Sequence, residues 1–198
     1  MLLIIFAKNP ILGKVKTRIA KDIGDEKALQ VYKKLLEHTC AVAEEAECTR
    51  WIFYSDYIEE NDCFDSHKFT KKVQSNTDLG TRMQNAFQEG FDAGFKRIVI
   101  IGSDCYELQP VFINEAFHIL GHKEVVIGPA YDGGYYLLGL RYMYSQLFMD
   151  KHWSTESVLH DTVEDIHELE LKYDLLTPLS DVDLATDIPD DIKTLLDL

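Results

Sequence analysis

The sequence predicts an α/β fold in which a mostly parallel β-sheet is covered by helices on both faces. Strand-like runs alternate with helical patterns along all 198 residues, which is typical of chains built from βαβ units. Residues 2–7 form a continuous apolar run, as a strand buried on both faces requires. Residues 25–47 carry apolar side chains at three- and four-residue spacing, which predicts one long amphipathic helix.

The first half of the chain continues with alternating elements. Residues 49–55 are rich in aromatic and branched side chains, which favour a second strand. Residues 57–67 are acidic and unpatterned, so we expect a loop there. A weaker strand at residues 69–74 precedes a helix at residues 79–95, whose apolar side chains fall on one side. Residues 97–102 contain the clearest internal strand, Ile-Val-Ile-Ile.

The second half repeats this alternation. A helix at residues 110–120 begins with proline, whose missing N–H costs nothing in the first turn. Residues 124–128 predict a strand, and residues 135–140 can form another that pairs with a neighbouring strand after a turn at 132–134. The remaining predicted elements are a helix at residues 155–166 capped by Ser154 or Thr155, a short strand at residues 169–172 and a terminal helix from Asp190. No composition break or repeat interrupts the chain, so we expect one domain over residues 1–198.

Composition and charge exclude several classes of partner. The chain carries 20 lysine and arginine residues against 34 aspartate and glutamate residues, a formal net charge of −14. This surplus repels phosphate backbones and anionic headgroups, so we expect no nucleic-acid or membrane partner. The four cysteines lack zinc-site spacing and predict reduced thiols. The first apolar run is too short for a signal peptide or a membrane span, and we expect a cytoplasmic protein whose oligomeric state the sequence leaves open.

A basic segment directly follows the first predicted strand. Five cations and no acid lie within 14 residues of this acidic chain, and they are Lys8, Lys14, Lys16, Arg18 and Lys21. The carboxyl end of a strand is where open α/β sheets bind their ligands. Backbone N–H groups and ammonium groups that converge there suit a di- or triphosphate, and a solvated basic turn is the alternative. The segment contains Gly13 but neither a Walker phosphate-binding loop nor a dinucleotide-binding glycine motif.

Acidic residues near two predicted strand ends are candidate metal ligands. Asp104 comes just after the strand at residues 97–102, where a carboxylate can bind Mg²⁺ or Mn²⁺. Asp181 and Asp183 share one side of an extended segment and offer further carboxylates. The alternative is that Asp104 caps a loop and the tail aspartates cap the final helix. For Asp187, which precedes that helix, we favour the cap.

Residues 131–136 combine tyrosines, two glycines and one carboxylate. Gly133 and Gly134 let a backbone approach a ligand closely, and Tyr135 offers a ring that can stack on a sugar. Asp132 can bind hydroxyl groups or accept a proton. This composition suits a sugar or acceptor pocket, and a plain hairpin turn with core tyrosines explains it equally well.

Six blocks of this sequence resemble, in order, those of the DUF2064 glycosyltransferase-like family. The blocks cover residues 6–18, 78–83, 101–105, 128–140, 153–155 and 181–187. The family belongs to the nucleotide-diphospho-sugar transferase superfamily with the GT-A fold, so the resemblance implies a Rossmann-like three-layer α/β/α sandwich. Two departures stand out. Tyr106 replaces a usual proline and is expected to change the rim of the site, and Leu184-Ala185 replaces Thr-Pro in the tail.

The resemblance also implies roles for residues of these blocks. Residues 8–18 would hold the nucleotide phosphates, Asp104 would bind the metal, and Asp183 would be the second metal-binding carboxylate. By analogy with guanylyl- and molybdopterin-cofactor transferases, three residues would lie beside the base, ribose or phosphates, and these are Asp78, Gly80 and Arg82.

The leading hypothesis from these motifs is a metal-dependent glycosyltransferase-like enzyme. It would use a nucleotide-diphosphate sugar donor, a small-molecule acceptor and Mg²⁺ or Mn²⁺. Lys14, Arg18 and a metal on Asp104 would offset charge on the departing diphosphate, with Asp132 as the candidate base. The alternatives are a nucleotidyltransferase that releases pyrophosphate and a non-catalytic nucleotide-binding protein of the same fold.

Overall fold

The computed structural model describes residues 1–75 and 78–198. Within these residues seven strands form one sheet in the order β3-β2-β1-β4-β6-β5-β7, and only β6 runs antiparallel to its neighbours. The strands are β1 (Leu2–Ala7), β2 (Thr49–Tyr54), β3 (Thr70–Val73), β4 (Ile98–Ile101), β5 (Val125–Pro129), β6 (Tyr135–Leu140) and β7 (Tyr173–Leu175).

Helices cover both faces of this sheet. The α-helices of the described ranges are α1 (Thr17–Ile23), α2 (Asp25–Glu45), α3 (Leu79–Asp92), α4 (Pro110–Ile119), α5 (Val158–Glu168) and α6 (Asp190–Leu195). Side chains of α2 and α4 share one core cluster with the sheet, and those of α3 and α5 share another. A third cluster joins α1, α2 and α6. The predicted three-layer α/β/α sandwich with a mostly parallel sheet is therefore confirmed.

The apolar run of β1 is explained by its place between these layers. Successive side chains of a strand point to opposite faces, and both faces are covered here. Leu3 and Ile5 pack in the cluster of α2 and α4, whereas Leu2 and Ile4 pack in the cluster of α3 and α5. All four side chains are fully buried, so a continuous apolar sequence is required.

Strand β6 brings the turn at residues 131–134 to the carboxyl edge of the sheet. It lies between β4 and β5 and pairs antiparallel with both. Its first residues therefore lie beside the last residues of its neighbours, with Leu137 opposite Ile101 and Tyr135 opposite Pro129. This edge also carries the segments that follow β1 and β4.

Six of the seven predicted strands are confirmed to within one residue at each end, and the last one is wrong. Residues 169–172 instead form the turn that follows helix α5, in which the Leu171 N–H donates to the Ile166 carbonyl at 3.0 Å. The strand lies further along at Tyr173–Leu175. Helix α1 was not predicted, since only Ile19 in it is buried and a single residue makes no periodic pattern.

Two predicted helix caps are also wrong. Helix α5 begins at Val158 rather than at residue 155, and the Thr155 hydroxyl donates to the His152 carbonyl at 2.6 Å, so neither Ser154 nor Thr155 caps it. Asp187 does not cap α6, whose N-cap position holds Pro189. The Asp187 carboxylate instead accepts hydrogen bonds from the N–H groups of residues 183 and 184 and caps the 3₁₀ turn Ala185–Asp187.

The four cysteines lie within the described ranges, and none of them forms a disulfide. No helix in the part of the chain that the structure describes is long and apolar enough to cross a membrane.

Candidate functional site

A cavity of about 600 Å³ opens at the carboxyl edge of the sheet. Its walls come from the segment after β1, the segment after β4, the β5–β6 turn, the approach to α5 and the C-terminal tail. The charged side chains that line it are Lys8, Lys16, Arg18, Asp104, Asp132, Glu156, Asp181 and Asp183. Its volume is within the range of about 300–1,000 Å³ that is usual for small-molecule sites.

Lys16 joins the two carboxylates that the sequence singled out as metal ligands. Its Nζ lies 3.0 Å from Asp104 Oδ2 and 3.6 Å from Asp183 Oδ1. The Lys16 side chain is only 6% exposed, and its backbone is left-handed with φ 47° just before α1 begins. Arg18 Nη1 lies 3.2 Å from Asp183 Oδ2, although the Arg18 side chain is 66% exposed. Two basic and two acidic side chains thus form one charge cluster.

Asp181, which the sequence offered beside Asp183 as a candidate carboxylate ligand, also lines the cavity. The buried side chain of Val182 points into the cluster of α1, α2 and α6, so its neighbours Asp181 and Asp183 face the cavity. Burial, together with the negative charges of Asp104 and Asp132, raises the pKa of Asp181 to about 7. The alternation of acidic and apolar residues was the available sequence signal.

Tyr32 of α2 links the segments that follow β1 and β4, and sequence reasoning missed it. The Lys8 N–H donates to its hydroxyl at 2.8 Å, and the same oxygen lies 3.1 Å from the Ser103 hydroxyl. Burial raises the pKa of Tyr32, which remains a neutral phenol. Tyr32 appeared in the sequence only as one apolar position of a helix, because its polar partners are 24 and 71 residues away.

The turn at residues 131–134 is pinned against the approach to α5. Asp132 Oδ1 accepts the Gly134 N–H at 2.9 Å, and the Leu159 N–H donates to the Gly133 carbonyl at 2.9 Å. Gly133 has φ +89°, and a Cβ atom there would lie 2.1 Å from the carbonyl oxygen of Glu156. Asp132 is therefore held at the cavity wall by backbone contacts.

Two aromatic side chains form part of the apolar wall. Tyr135 lines the cavity, but its hydroxyl is buried beside Thr162 of α5, so the ring is the part available to a ligand. Trp153 packs on the first turn of α3, where a Cβ on Gly80 would lie 2.2 Å from the indole Nε1. Gly80 thus provides the space that Trp153 occupies.

The structure brings eight of the predicted site residues to the cavity. They are Lys8, Lys16, Arg18, Asp104, Asp132, Gly134, Tyr135 and Asp183. Six others do not line it, and these are Gly13, Lys14, Asp78, Gly80, Arg82 and Gly133. Gly13 and Lys14 lie in an exposed turn before α1. Asp78 caps α3 by accepting the Thr81 N–H at 3.1 Å, and hydrogen bonds from Thr81 lower the pKa of Asp78.

Tyr106 was expected to change the rim of the site, but it does not line the cavity. Its hydroxyl donates to Asp191 at 2.6 Å, and its ring packs against the cluster of α1, α2 and α6. The first departure from the family pattern therefore ties the segment after β4 to the C-terminal helix.

The donor set of the site fits a hard divalent ion only in part. Carboxylate oxygens such as those of Asp104 and Asp183 are the ligands that Mg²⁺ and Mn²⁺ prefer. Within residues 1–75 and 78–198, however, no three acidic, histidine or cysteine side chains are grouped as a metal centre. Mg²⁺ is commonly bound by one or two carboxylates together with substrate phosphates and water. The residues present fit a metal of that kind, completed by phosphate oxygens.

Comparison with known proteins agrees with this fold. A protein of Desulfovibrio desulfuricans G20, given as a "putative nucleotide-diphospho-sugar transferase", is 31% identical with a TM-score of 0.85, over 92% of this chain and 82% of that one. Rv0371c of Mycobacterium tuberculosis H37Rv is 11% identical with a TM-score of 0.57, over 100% and 98%. The inositol-1-phosphate CTP transferase of T. maritima is 10% identical with a TM-score of 0.54, over 99% and 94%. The last two likenesses concern the fold alone.

No curated protein sequence matches this chain. The family described as "Uncharacterized protein conserved in bacteria (DUF2064)" matches residues 37–155, which is more than half of the chain. Together with the relative from D. desulfuricans, this match confirms the resemblance seen in the sequence and the nucleotide-diphospho-sugar transferase type of fold. The chain belongs to the DUF2064 family.

Proposed function

We propose that this protein is a metal-dependent glycosyltransferase that moves a sugar from a nucleotide-diphosphate donor to a small acceptor. The observation that carries the proposal is the charge cluster of Lys16, Arg18, Asp104 and Asp183 inside the cavity at the carboxyl edge. Open α/β sheets bind their ligands at this edge. The similarity to the D. desulfuricans protein supports a nucleotide-diphosphate sugar as the donor class.

The basic side chains would bind the diphosphate of the donor. Lys8, Lys16 and Arg18 all come from the segment that follows β1. The exposed Arg18 guanidinium has the planar donor geometry that matches phosphate oxygens. As the bond to the sugar breaks, negative charge grows on the departing diphosphate, and these cations would offset it. Mg²⁺ or Mn²⁺ held by Asp104 and Asp183 would add a Lewis acid at the same oxygens.

The acidic side chains would bind the acceptor. Asp132 Oδ1 is held by the Gly134 N–H, which orients the carboxylate, and Oδ2 can accept the proton of an attacking hydroxyl group. The ring of Tyr135 offers a face on which a sugar can stack. The acceptor end of the reaction would thus use the turn at residues 131–134 and the start of β6.

The balance of charges in the cavity favours sugar transfer over nucleotidyl transfer. A nucleotidyltransferase must hold a triphosphate and a phosphorylated acceptor, which together need more cations than a nucleotide sugar does. The cations that line the cavity come from one segment, whereas its other charged walls carry Asp132, Glu156 and Asp181. These carboxylates would repel a phosphorylated acceptor and can hydrogen-bond to a neutral one.

The test is a thermal unfolding screen with UDP, GDP, CDP, their sugar conjugates and the nucleoside triphosphates, each with and without Mn²⁺. A ligand at 100 times its Kd stabilises a protein by about 2.7 kcal/mol, which raises Tm by several degrees at this chain length. The proposal predicts Mn²⁺-dependent stabilisation by one nucleotide sugar, and then release of the nucleoside diphosphate when a sugar acceptor is added.

Two variants provide the matched comparison for this screen. Arg18→Met should abolish the stabilisation, whereas Lys21→Met, which removes an exposed charge of the same helix, should retain it. Stabilisation by a triphosphate with release of pyrophosphate would replace sugar transfer by nucleotidyl transfer. A screen in which no nucleotide raises Tm would reject the proposed donor site.

A further inference from the structure

The Lys16 ammonium contacts the carboxylates of both Asp104 and Asp183, the two residues that would hold a metal ion. It contacts one oxygen of each carboxylate, at 3.0 Å and 3.6 Å, and its side chain is almost fully buried. The other oxygen of Asp183 is bound by Arg18 at 3.2 Å. Both carboxylates therefore already have a positive partner supplied by the chain itself.

The backbone at Lys16 indicates that this placement is built into the fold. Its φ of 47° and ψ of 43° are left-handed, a conformation that residues other than glycine rarely adopt. Such conformations persist where surrounding contacts hold them. In this conformation Lys16 directs its long side chain into the cavity, whereas the neighbouring Lys14 remains in the exposed turn.

A divalent ion and the ammonium cannot share the space between these oxygens, because two cations at such separations repel strongly. A metal ion that binds Asp104 and Asp183 must therefore displace Lys16. Phosphate groups are the partners in a nucleotide site that can accept the displaced ammonium. Once phosphate binds Lys16, the two carboxylates are left without that counter-charge and attract a metal ion.

We propose that Lys16 is a tethered cation that excludes divalent metal from Asp104 and Asp183 until phosphate groups draw it away. Nucleotide and metal then bind cooperatively, and by linkage each raises the affinity for the other by the same factor. The coupling to phosphate rests on the proposed function. The competition between Lys16 and metal depends only on the contacts of Lys16 and can be measured without any nucleotide.

The first experiment measures Mn²⁺ binding by electron paramagnetic resonance and calorimetry in the absence of nucleotide. Lys16→Met should bind Mn²⁺ at least about tenfold more tightly than the unsubstituted protein, which is within the usual range of couplings between sites. Lys21→Met is the matched control, because it also removes one positive charge but from the exposed face of α1. It should bind Mn²⁺ like the unsubstituted protein.

Two further variants make the result decisive. Asp104→Asn in the Lys16→Met background should abolish the gained Mn²⁺ binding, which places the ion at this carboxylate. If Lys16→Met does not fold, Lys16→Gly removes the same ammonium and suits the left-handed backbone. Equal Mn²⁺ affinity in the unsubstituted, Lys16 and Lys21 proteins would overturn the proposal.

The second experiment measures how Mn²⁺ changes the affinity for UDP, GDP and CDP. Mn²⁺ should strengthen binding of one of them to the unsubstituted protein by about 5- to 150-fold, and by much less to Lys16→Met. If Lys16→Met gains Mn²⁺ affinity while no nucleotide binds any variant, the competition stands and the proposed donor site fails. If nucleotide binds but Mn²⁺ affinity is unchanged by the substitution, the donor site stands and the role of Lys16 is refuted.

Discussion

Replacing Gly133 by alanine should loosen the cavity wall that carries Asp132. Gly133 has φ +89°, and the added Cβ would lie 2.1 Å from the carbonyl oxygen and 2.6 Å from the Cα of Glu156. Both are backbone atoms, so no flexible side chain can move to relieve the contact. Gly94 provides a matched control, because its φ is +90° and its Cβ would meet nothing within 4 Å.

The two variants separate backbone strain from crowding. Gly94→Ala should cost about 1 kcal/mol of unfolding free energy, the penalty for a left-handed alanine. Gly133→Ala should cost about 3 kcal/mol, because crowding in a packed region adds to that penalty. At roughly 3 °C per kcal/mol, Tm should fall about 3 °C in the control and about 9 °C in Gly133→Ala.

Differential scanning calorimetry on both variants measures these differences. In the same samples, the Gly133 variant should also lose stabilisation by any ligand that uses Asp132, whereas the Gly94 variant should keep it. Equal decreases in Tm would refute the reasoning, because they would mean that the turn at residues 131–134 is free to move away from Glu156.

Three other changes test separate parts of the structure. In buffer with a chelator, the contribution of Asp181 to the free energy of unfolding should fall as pH rises from about 4 to 7. Burial raises the pKa of folded Asp181 from 3.8 to about 7, so the folded protein keeps a proton that the unfolded chain has lost. Urea unfolding of Asp181→Asn should lack this contribution. Gly80→Ala should expel the indole of Trp153 from the first turn of α3 and shift its fluorescence to longer wavelength. Lys71→Met should cost about 3–5 kcal/mol in urea unfolding, because it removes the positive partner of the largely buried Asp62 carboxylate, which lies 2.8 Å from the ammonium.

Each of these changes has its own control. Lys34→Met breaks an exposed pair with Glu37 and should cost less than about 1 kcal/mol, so an equal loss from both lysine variants would contradict the role of burial. Trp51→Phe isolates the emission of Trp153, and an unchanged spectrum in Gly80→Ala would mean that the indole does not pack there. An Asp181→Asn variant with the pH dependence of the unsubstituted protein would contradict the raised pKa.

The sequence predicts the layers of this fold better than it predicts the site. The run Leu2–Ala7 needs apolar residues at every position because both faces of β1 are covered, and that requirement is visible in the sequence. The contrast between Lys14 and Lys16 is not visible there. It depends on where α1 begins and on the left-handed backbone of one residue, and seven-residue helices with one buried side chain leave no periodic signal.

Contacts between distant segments set the other limit. Tyr32, Gly80 and Gly133 act through partners that the fold alone brings near, namely the segment after β4, Trp153 and Glu156. The composition of the motifs indicated that glycines and an aromatic residue lie near the site. The spacing of residues along the sequence does not show which distant residues they contact. Asp181 could be predicted from the sequence, because alternation with the buried Val182 places it on the same side as Asp183.

The placement of β6 has a consequence for synthesis on the ribosome. Strands β1 to β4 are complete at residue 101, yet the strand that covers the outer edge of β4 comes later in the chain, at residues 137–140. A nascent chain that stops before β6 presents the backbone of β4 as an open edge, which can pair with another chain. The β5–β6 hairpin closes that edge, and hairpins form within about 1–10 μs once their residues have emerged. Chains truncated between residues 129 and 135 should therefore aggregate. Aggregation should stop once the chain is long enough for residue 140 to have emerged from the ribosome.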